Sequence, residues 1–265
     1  MSKRSQWKLP REHGAWVMLY VPFAVGALVG WRSPLRLMLI GLSVTFVFIA
    51  RESLLIWWRA RSRGQRNSQA LRFVLSYVVL ALVFAAPLLL VYDLYWFAGM
   101  GVAAAALLAI NARQAVRRID RTIGGEMMAI AGLTLTAPAA YYAARGAFDI
   151  TAVWLWVLCS SYFASSVFYV KLRVSTINPR LDKGRRETWY RCAFYHALLL
   201  GSLVILALTG SLNVFAAVAF APVLIRSFWY LARPVRHINL RTVGWLEMVY
   251  SLVFLIFTTL NFRVY

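Results

Sequence analysis

The feature that most constrains this chain is a series of long apolar runs with very few charges inside them. A run of about 18 or more apolar residues reads as a membrane-crossing helix, because in lipid the backbone N–H and C=O groups must pair within the segment. Nine such spans are predicted, over 14–30, 35–58, 70–91, 95–111, 123–144, 150–171, 190–209, 212–231 and 243–261. Each is about long enough to cross a ~30 Å core at roughly 1.5 Å per residue. The composition agrees: 62% of the 265 residues are hydrophobic, 14% are charged, and the mean hydropathy is +0.66. A soluble domain carries roughly 25% charged residues. The weak alternation of a membrane β-barrel is absent. The expected fold class is therefore an all-α polytopic bundle, one integral membrane domain over 1–265. The first run is expected to persist as a span, not to be removed as a signal peptide. Pro22, Pro87, Pro138 and Pro222 fall within or near the ends of spans and are expected to kink them.

The net charge of +20 would suit a nucleic-acid binder, but its placement excludes that reading. All but Arg32, Arg36, Arg145 and Arg263 of the 29 lysines and arginines fall in the N-terminal segment, in the second, fourth, sixth and eighth connections, or at the helix ends beside them. Cationic loops that alternate in this way mark the cytoplasmic side. The predicted orientation is N-terminus in and C-terminus out, with a basic inner face that attracts anionic lipid headgroups. The outer connections are short and the inner ones longer, so a site for a polar ligand is expected to open inward.

Three carboxylates lie inside spans: Glu52, Glu126 and Glu247. An ionisable group in a membrane is costly and reads as a functional or ion-paired position. None has a cation three or four residues further along its own helix, so each is expected to find a partner on another helix or a loop. Two of them share a repeat: Arg121-Thr122-Ile123-Gly124-Gly125-Glu126 and Arg241-Thr242-Val243-Gly244 leading to Glu247. In both, the threonine is expected to cap the helix and the glycine to admit a close backbone. The positive field of the helix start favours an ionised glutamate or a ligand anion. The first span opens Arg11-Glu12-His13-Gly14-Ala15-Trp16, either as an interface anchor or with Arg11 and His13 facing an inner cavity. The sixth ends Ser165-Ser166-Val167-Phe168-Tyr169-Val170-Lys171-Leu172-Arg173, a pattern fit to line a headgroup site or to make an ordinary helix contact with snorkelling cations. His196 sits more than one turn into the seventh span. With only three histidines and no ligand-spaced cluster, no metal site and no cofactor is expected, a haem or a quinone being the alternative the pattern leaves open. Cys159 and Cys192 read as small packing residues.

The Arg-Glu-His-Gly-Ala-Trp opening, the Arg-Thr-Ile-Gly-Gly-Glu start of the fifth span and the basic helix ends resemble the YwiC-like family of bacterial membrane proteins over essentially the whole chain. That resemblance implies a bacterial cytoplasmic membrane. More distantly, the chain resembles the UbiA-type prenyltransferases, which also have nine helices, N-terminus in, and an inward site where two aspartate-rich motifs hold Mg²⁺ and a polyprenyl diphosphate. The motifs themselves are missing. Arg51-Glu52-Ser53 stands at the end of the second span, and the sixth connection holds Asp182 alone. A Mg²⁺-dependent transfer is therefore not expected. Arginines stand where those enzymes place carboxylates, and arginine binds phosphate without a metal.

The expected function is binding of an anionic or quinonoid lipid in a basic inward cavity, lined by Arg11, His13, Arg51, Glu52, Arg121, Glu126, Lys171, Arg173, His196, Arg241 and Glu247. An atypical, metal-independent prenyl or lipid transferase, a proton-coupled transporter and a membrane assembly factor are the alternatives.

Overall fold

Backbone pairing in an apolar solvent leaves little choice but helix, and helix is what forms. The computed structural model describes residues 13–117, 119, 121–177, 182–233 and 240–263. Among them are ten helical segments: α1 (His13–Gly30), α2 (Pro34–Arg61), α3 (Ser68–Leu90), α4 (Trp96–Val116), α5 (Ile123–Thr134), α6 (Thr136–Arg145), α7 (Ile150–Ile177), α8 (Asp182–Leu208), α9 (Val214–Ala232) and α10 (Leu240–Arg263). Eight helices are long and apolar enough to cross a membrane, with α5 and α6 counted together over Ile123–Arg145; α1 adds a shorter apolar helix over Gly14–Gly30. Each of the nine predicted spans corresponds to one of these.

Two features depart from the predicted spans. Helices overrun the apolar runs at their basic ends: α4 continues to Val116, α7 to Ile177, and α8 begins at Asp182. Charged residues at an interface keep helical hydrogen bonding while their long side chains reach for water, so hydropathy ends before the helix does. The fifth span is also divided at Leu135. Pro138 has no N–H to offer the carbonyl of Thr134, and the helix breaks one turn before it. Side chains serve carbonyls around the break: Thr134 Oγ1 donates to Ile130 O (2.8 Å), Trp156 Nε1 to Ala131 O (3.0 Å), and Thr136 Oγ1 to Leu133 O (2.9 Å) and Leu19 O (2.8 Å). Pro22, Pro87 and Pro222 lie inside continuous helices.

The contacts divide into two compact units, Met1–Trp156 and Val157–Tyr265. In the first, α2 and α3 form a hairpin, α1 lies along α6, and α2 also touches α4 and α6. Gly26 and Gly30 allow the α1–α6 approach. A Cβ at Gly26 would stand 2.0 Å from Ala137 O, and one at Gly30 would stand 2.8 Å from Ala144 Cβ. This small-xxx-small spacing lets two backbones pack closely where lipid offers no hydrophobic drive. In the second unit, α9 packs against α8 and α10. Its centre is aromatic: Tyr162 stacks on Phe254 at 4.1 Å, and Phe220 meets Phe254 edge-on at 5.4 Å.

Candidate functional site

In the second unit, polar residues recur at helical spacing on α7 (Ser166, Tyr169, Arg173), α9 (Arg226, Tyr230) and α10 (Glu247, Tyr250, Ser251). Positions three or four apart share a helix face, so each set forms a stripe. The stripes meet. Arg226 Nη1 and Glu247 Oε1 form an ion pair, with the arginine side chain 9% exposed and the glutamate 20%. Ser166 Oγ donates to Glu247 Oε2 at 2.6 Å. Ser251 Oγ donates to the Glu247 carbonyl at 2.8 Å, and Tyr162 OH donates to Ser251 Oγ at 3.5 Å. The Arg226 guanidinium lies over the Tyr169 ring (3.9 Å) and near that of Tyr250 (5.5 Å). Arg173 leans on Tyr169 from 5.6 Å and on Tyr230 from 4.4 Å. Two cations therefore share one tyrosine ring, an arrangement that desolvated cation–π attraction supports.

This cluster carries unused donors. Nε of Arg173, Nε and Nη2 of Arg226, the hydroxyl of Tyr230 and that of Ser227 are buried without a hydrogen-bond partner. Among the described residues of this cluster, Arg226 is paired with Glu247 while Arg173 rests on the tyrosine rings, which leaves one positive charge. Buried donors are nearly always satisfied in native proteins, by the protein itself, by water or by a bound group, so these donors stand open to such a partner.

His196 belongs to the same unit but is self-contained. It is fully buried. Its Nδ1–H donates to Cys192 O at 2.7 Å, which leaves Nε2 to accept from Ser165 Oγ at 2.9 Å. Both nitrogens of a neutral imidazole are thereby occupied.

In the first unit, Arg51 donates through Nε (3.2 Å) and Nη2 (3.1 Å) to Asn111 Oδ1, and through Nη1 to Glu52 Oε1 (3.1 Å). The partner of Glu52 is thus its own chain neighbour, not a group on another helix as predicted, because the guanidinium that Asn111 holds through Nε and Nη2 leaves Nη1 to reach the carboxylate beside it. Glu247 does find its partner on another helix. Glu126 is half-buried in the first turn of α5, where Thr122 Oγ1 caps the helix by accepting from Gly125 N at 3.2 Å.

The predicted repeat is only partly realised. Helix α10 begins at Leu240, so Thr242 lies inside its first turn and not at the cap. A Cβ on Gly124 or Gly244 would meet nothing within 4 Å, so neither glycine admits a close backbone among the described residues. Gly26 and Gly30 do that work instead. Of the remaining predicted site residues, Arg121 is exposed and Lys171 half-buried. Arg11 and the side chains of His13 and Arg241 lie outside the described residues. Arg51, Glu52, Arg121 and Glu126 belong to the first unit; Lys171, Arg173, His196 and Glu247 belong to the second. Sequence reasoning missed Arg226, Tyr230, Tyr250 and Asn111. The available signal was Arg226 itself, the one charge in the Val223-Leu224-Ile225-Arg226-Ser227-Phe228 stretch.

The model of the YwiC-like protein family matches residues 9–141. The chain belongs to this family. The matched stretch lies in the first unit and carries the Arg51–Asn111 contact and the Gly26–Gly30 seam. A YwiC relative, "Uncharacterized protein YwiC" of Bacillus subtilis (strain 168), is 26% identical over 253 residues, covering 93% of this chain and 95% of that protein. No solved structure matches the chain. This YwiC-like chain is a multi-pass membrane protein, and its most donor-rich cluster, around Arg173 and Arg226, lies beyond the matched stretch.

Proposed function

We propose that this YwiC-like protein binds the anionic headgroup of an amphiphile at the basic end of α7, α9 and α10. The observation that carries the reading is the set of unused donors on Arg173, Arg226 and Tyr230 around a net positive charge. Arginine forks match phosphate oxygens, and charge-assisted hydrogen bonds of this kind are the strong ones. Depth suits a lipid. Glu247 lies seven residues into α10, about 10 Å along the axis, and Arg173 is four residues from the end of α7. An acyl or prenyl chain can stay in the bilayer while its headgroup reaches these side chains.

By the positive-inside rule this end faces the cytoplasm of a bacterial cell. Cysteines introduced as S33C and S62C test the orientation. The S62C protein is expected to react with an impermeant maleimide only in inverted vesicles, and the S33C protein only in intact cells; the reverse pattern turns the protein over.

The binding reading is tested with the purified protein in phosphatidylcholine nanodiscs, titrated with short-chain phosphatidylglycerol, phosphatidic acid or a neutral short-chain quinone. Either acidic lipid should bind above background. R173Q should weaken it roughly tenfold or more, as expected for loss of a charge-assisted contact. Selective binding of the quinone, with no gain for acidic lipid, would move the site to a quinonoid ligand.

A further inference from the structure

The unused donors support an anionic ligand; the Arg226–Glu247 pair bears on how its charge is balanced. Resting on the anion-binding reading, we infer that the site adjusts to its ligand by protonating Glu247: a singly charged headgroup binds alone, and a phosphomonoester dianion binds together with one proton.

Arg226 pairs with Glu247, and Arg173 shares the Tyr169 ring with Arg226, so among these described residues one negative ligand charge gives neutrality. A dianion overshoots it, and an uncompensated charge in a poorly solvated site is costly enough that a titratable group changes state instead. The candidates facing the cluster from each helix are few. From α7 come Tyr162 and Tyr169, and from α10 Tyr250. From α9 comes Tyr230, and from α8 Cys192 and His196. A phenol or a thiol offers no basic atom that takes up a proton near neutral pH. His196 is fully buried, and a second proton would place a cation there whose hydrogen-bond partners are a neutral hydroxyl and a carbonyl. Glu247 is left.

Its surroundings suit both charge states. Ser166 Oγ donates to the carboxylate Oε2 at 2.6 Å, and the same hydroxyl can turn to accept from a carboxylic acid. In the step itself, a proton from solution bonds to a Glu247 carboxyl oxygen and Oε1 leaves Nη1 of Arg226. That N–H, with the unused Nε and Nη2, then holds the ligand oxygens. No other bond forms or breaks.

The test is calorimetric titration of the nanodisc protein at pH 8 in two buffers of different ionisation enthalpy, which yields protons taken up per ligand. A phosphomonoester is a dianion there, since its second ionisation lies at about 6. Short-chain phosphatidic acid should bring about one proton and phosphatidylglycerol about none, by linkage. E247Q should still bind phosphatidic acid, now with about none. Equal uptake for the two lipids, or uptake that survives E247Q, overturns the inference. The wild-type contrast stands even if E247Q does not fold. Failure of both lipids to bind defeats the anion-binding reading itself. Inorganic phosphate, run alongside, separates the sources of the dianion: binding with the same uptake makes a soluble phosphate sufficient, and no binding makes the lipid tail necessary.

Discussion

Arg226 of α9 and Glu247 of α10 form an ion pair almost two turns inside the basic ends of their helices, with Ser166 of α7 hydrogen-bonded to the same carboxylate. Removing one partner leaves the other buried and charged, at a cost of about 3–5 kcal/mol. R226Q is therefore expected to destabilise strongly, and R226Q/E247Q together to cost much less than the sum of the two singles. Thermal unfolding of the four proteins in nanodiscs, arranged as a double-mutant cycle, measures this coupling. Additive losses would show the pair to be energetically idle.

Asn111 holds Arg51 through two N–H donors. N111A should destabilise by about 1.5–3 kcal/mol, the range for hydrogen bonds to charged groups. N111D, which keeps the acceptor and adds a charge facing Arg51, should retain most of the stability. Denaturation midpoints compare them; equal losses in both variants would contradict the acceptor role.

The α1–α6 seam depends on bare backbone at Gly26, where a Cβ would overlap Ala137 O. G26V forces the helices apart and should cost at least the ~1–3 kcal/mol of an overpacked core. G124A, at a glycine with open space around it, should leave stability unchanged or slightly raised through better helix propensity. A folded, equally stable G26V would refute the close-packed seam.

Asp149 stands in the turn before α7. Partial burial acts to raise its pKa, but hydrogen bonds from Tyr141 OH (2.8 Å) and Thr151 N (2.8 Å), together with nearby Arg145, hold it below the ordinary value. A lowered folded pKa means that the contribution to stability is complete above about 4, the ordinary carboxylate value, and is lost as pH falls through the lowered one. D149N should abolish that part of the acid dependence while leaving the profile near neutral pH parallel to wild type. Unfolding midpoints between pH 6 and pH 2 provide the comparison.

How much of this was legible beforehand differs from element to element. The nine apolar runs could be read because hydropathy is a property of the chain in one dimension, and lipid permits little but helix along it. The helix ends were less legible. At Ile177 and Asp182 charged residues continue the helix beyond the apolar run, and hydropathy does not register hydrogen bonding. The break at Leu135 has a visible cause in Pro138, yet Pro22, Pro87 and Pro222 share that residue type and lie in continuous helices.

The site was legible as a list of residues and not as a set of partners. Glu247, Arg173 and the Ser165–Arg173 stretch could be selected because ionisable and hydroxyl groups are rare in apolar runs. That Glu247 meets Arg226, 21 positions away on a different helix, depends on how α9 and α10 are rotated about their own axes. That Arg51 serves Asn111 depends in the same way on α2 and α4. Rotation is set by the packing of many side chains at once, and no local pattern encodes it. The long apolar runs by themselves determined that this is a helical membrane protein. Only the tertiary structure decided which of its few charges face each other, because a charge in an apolar region is defined by its neighbours in space.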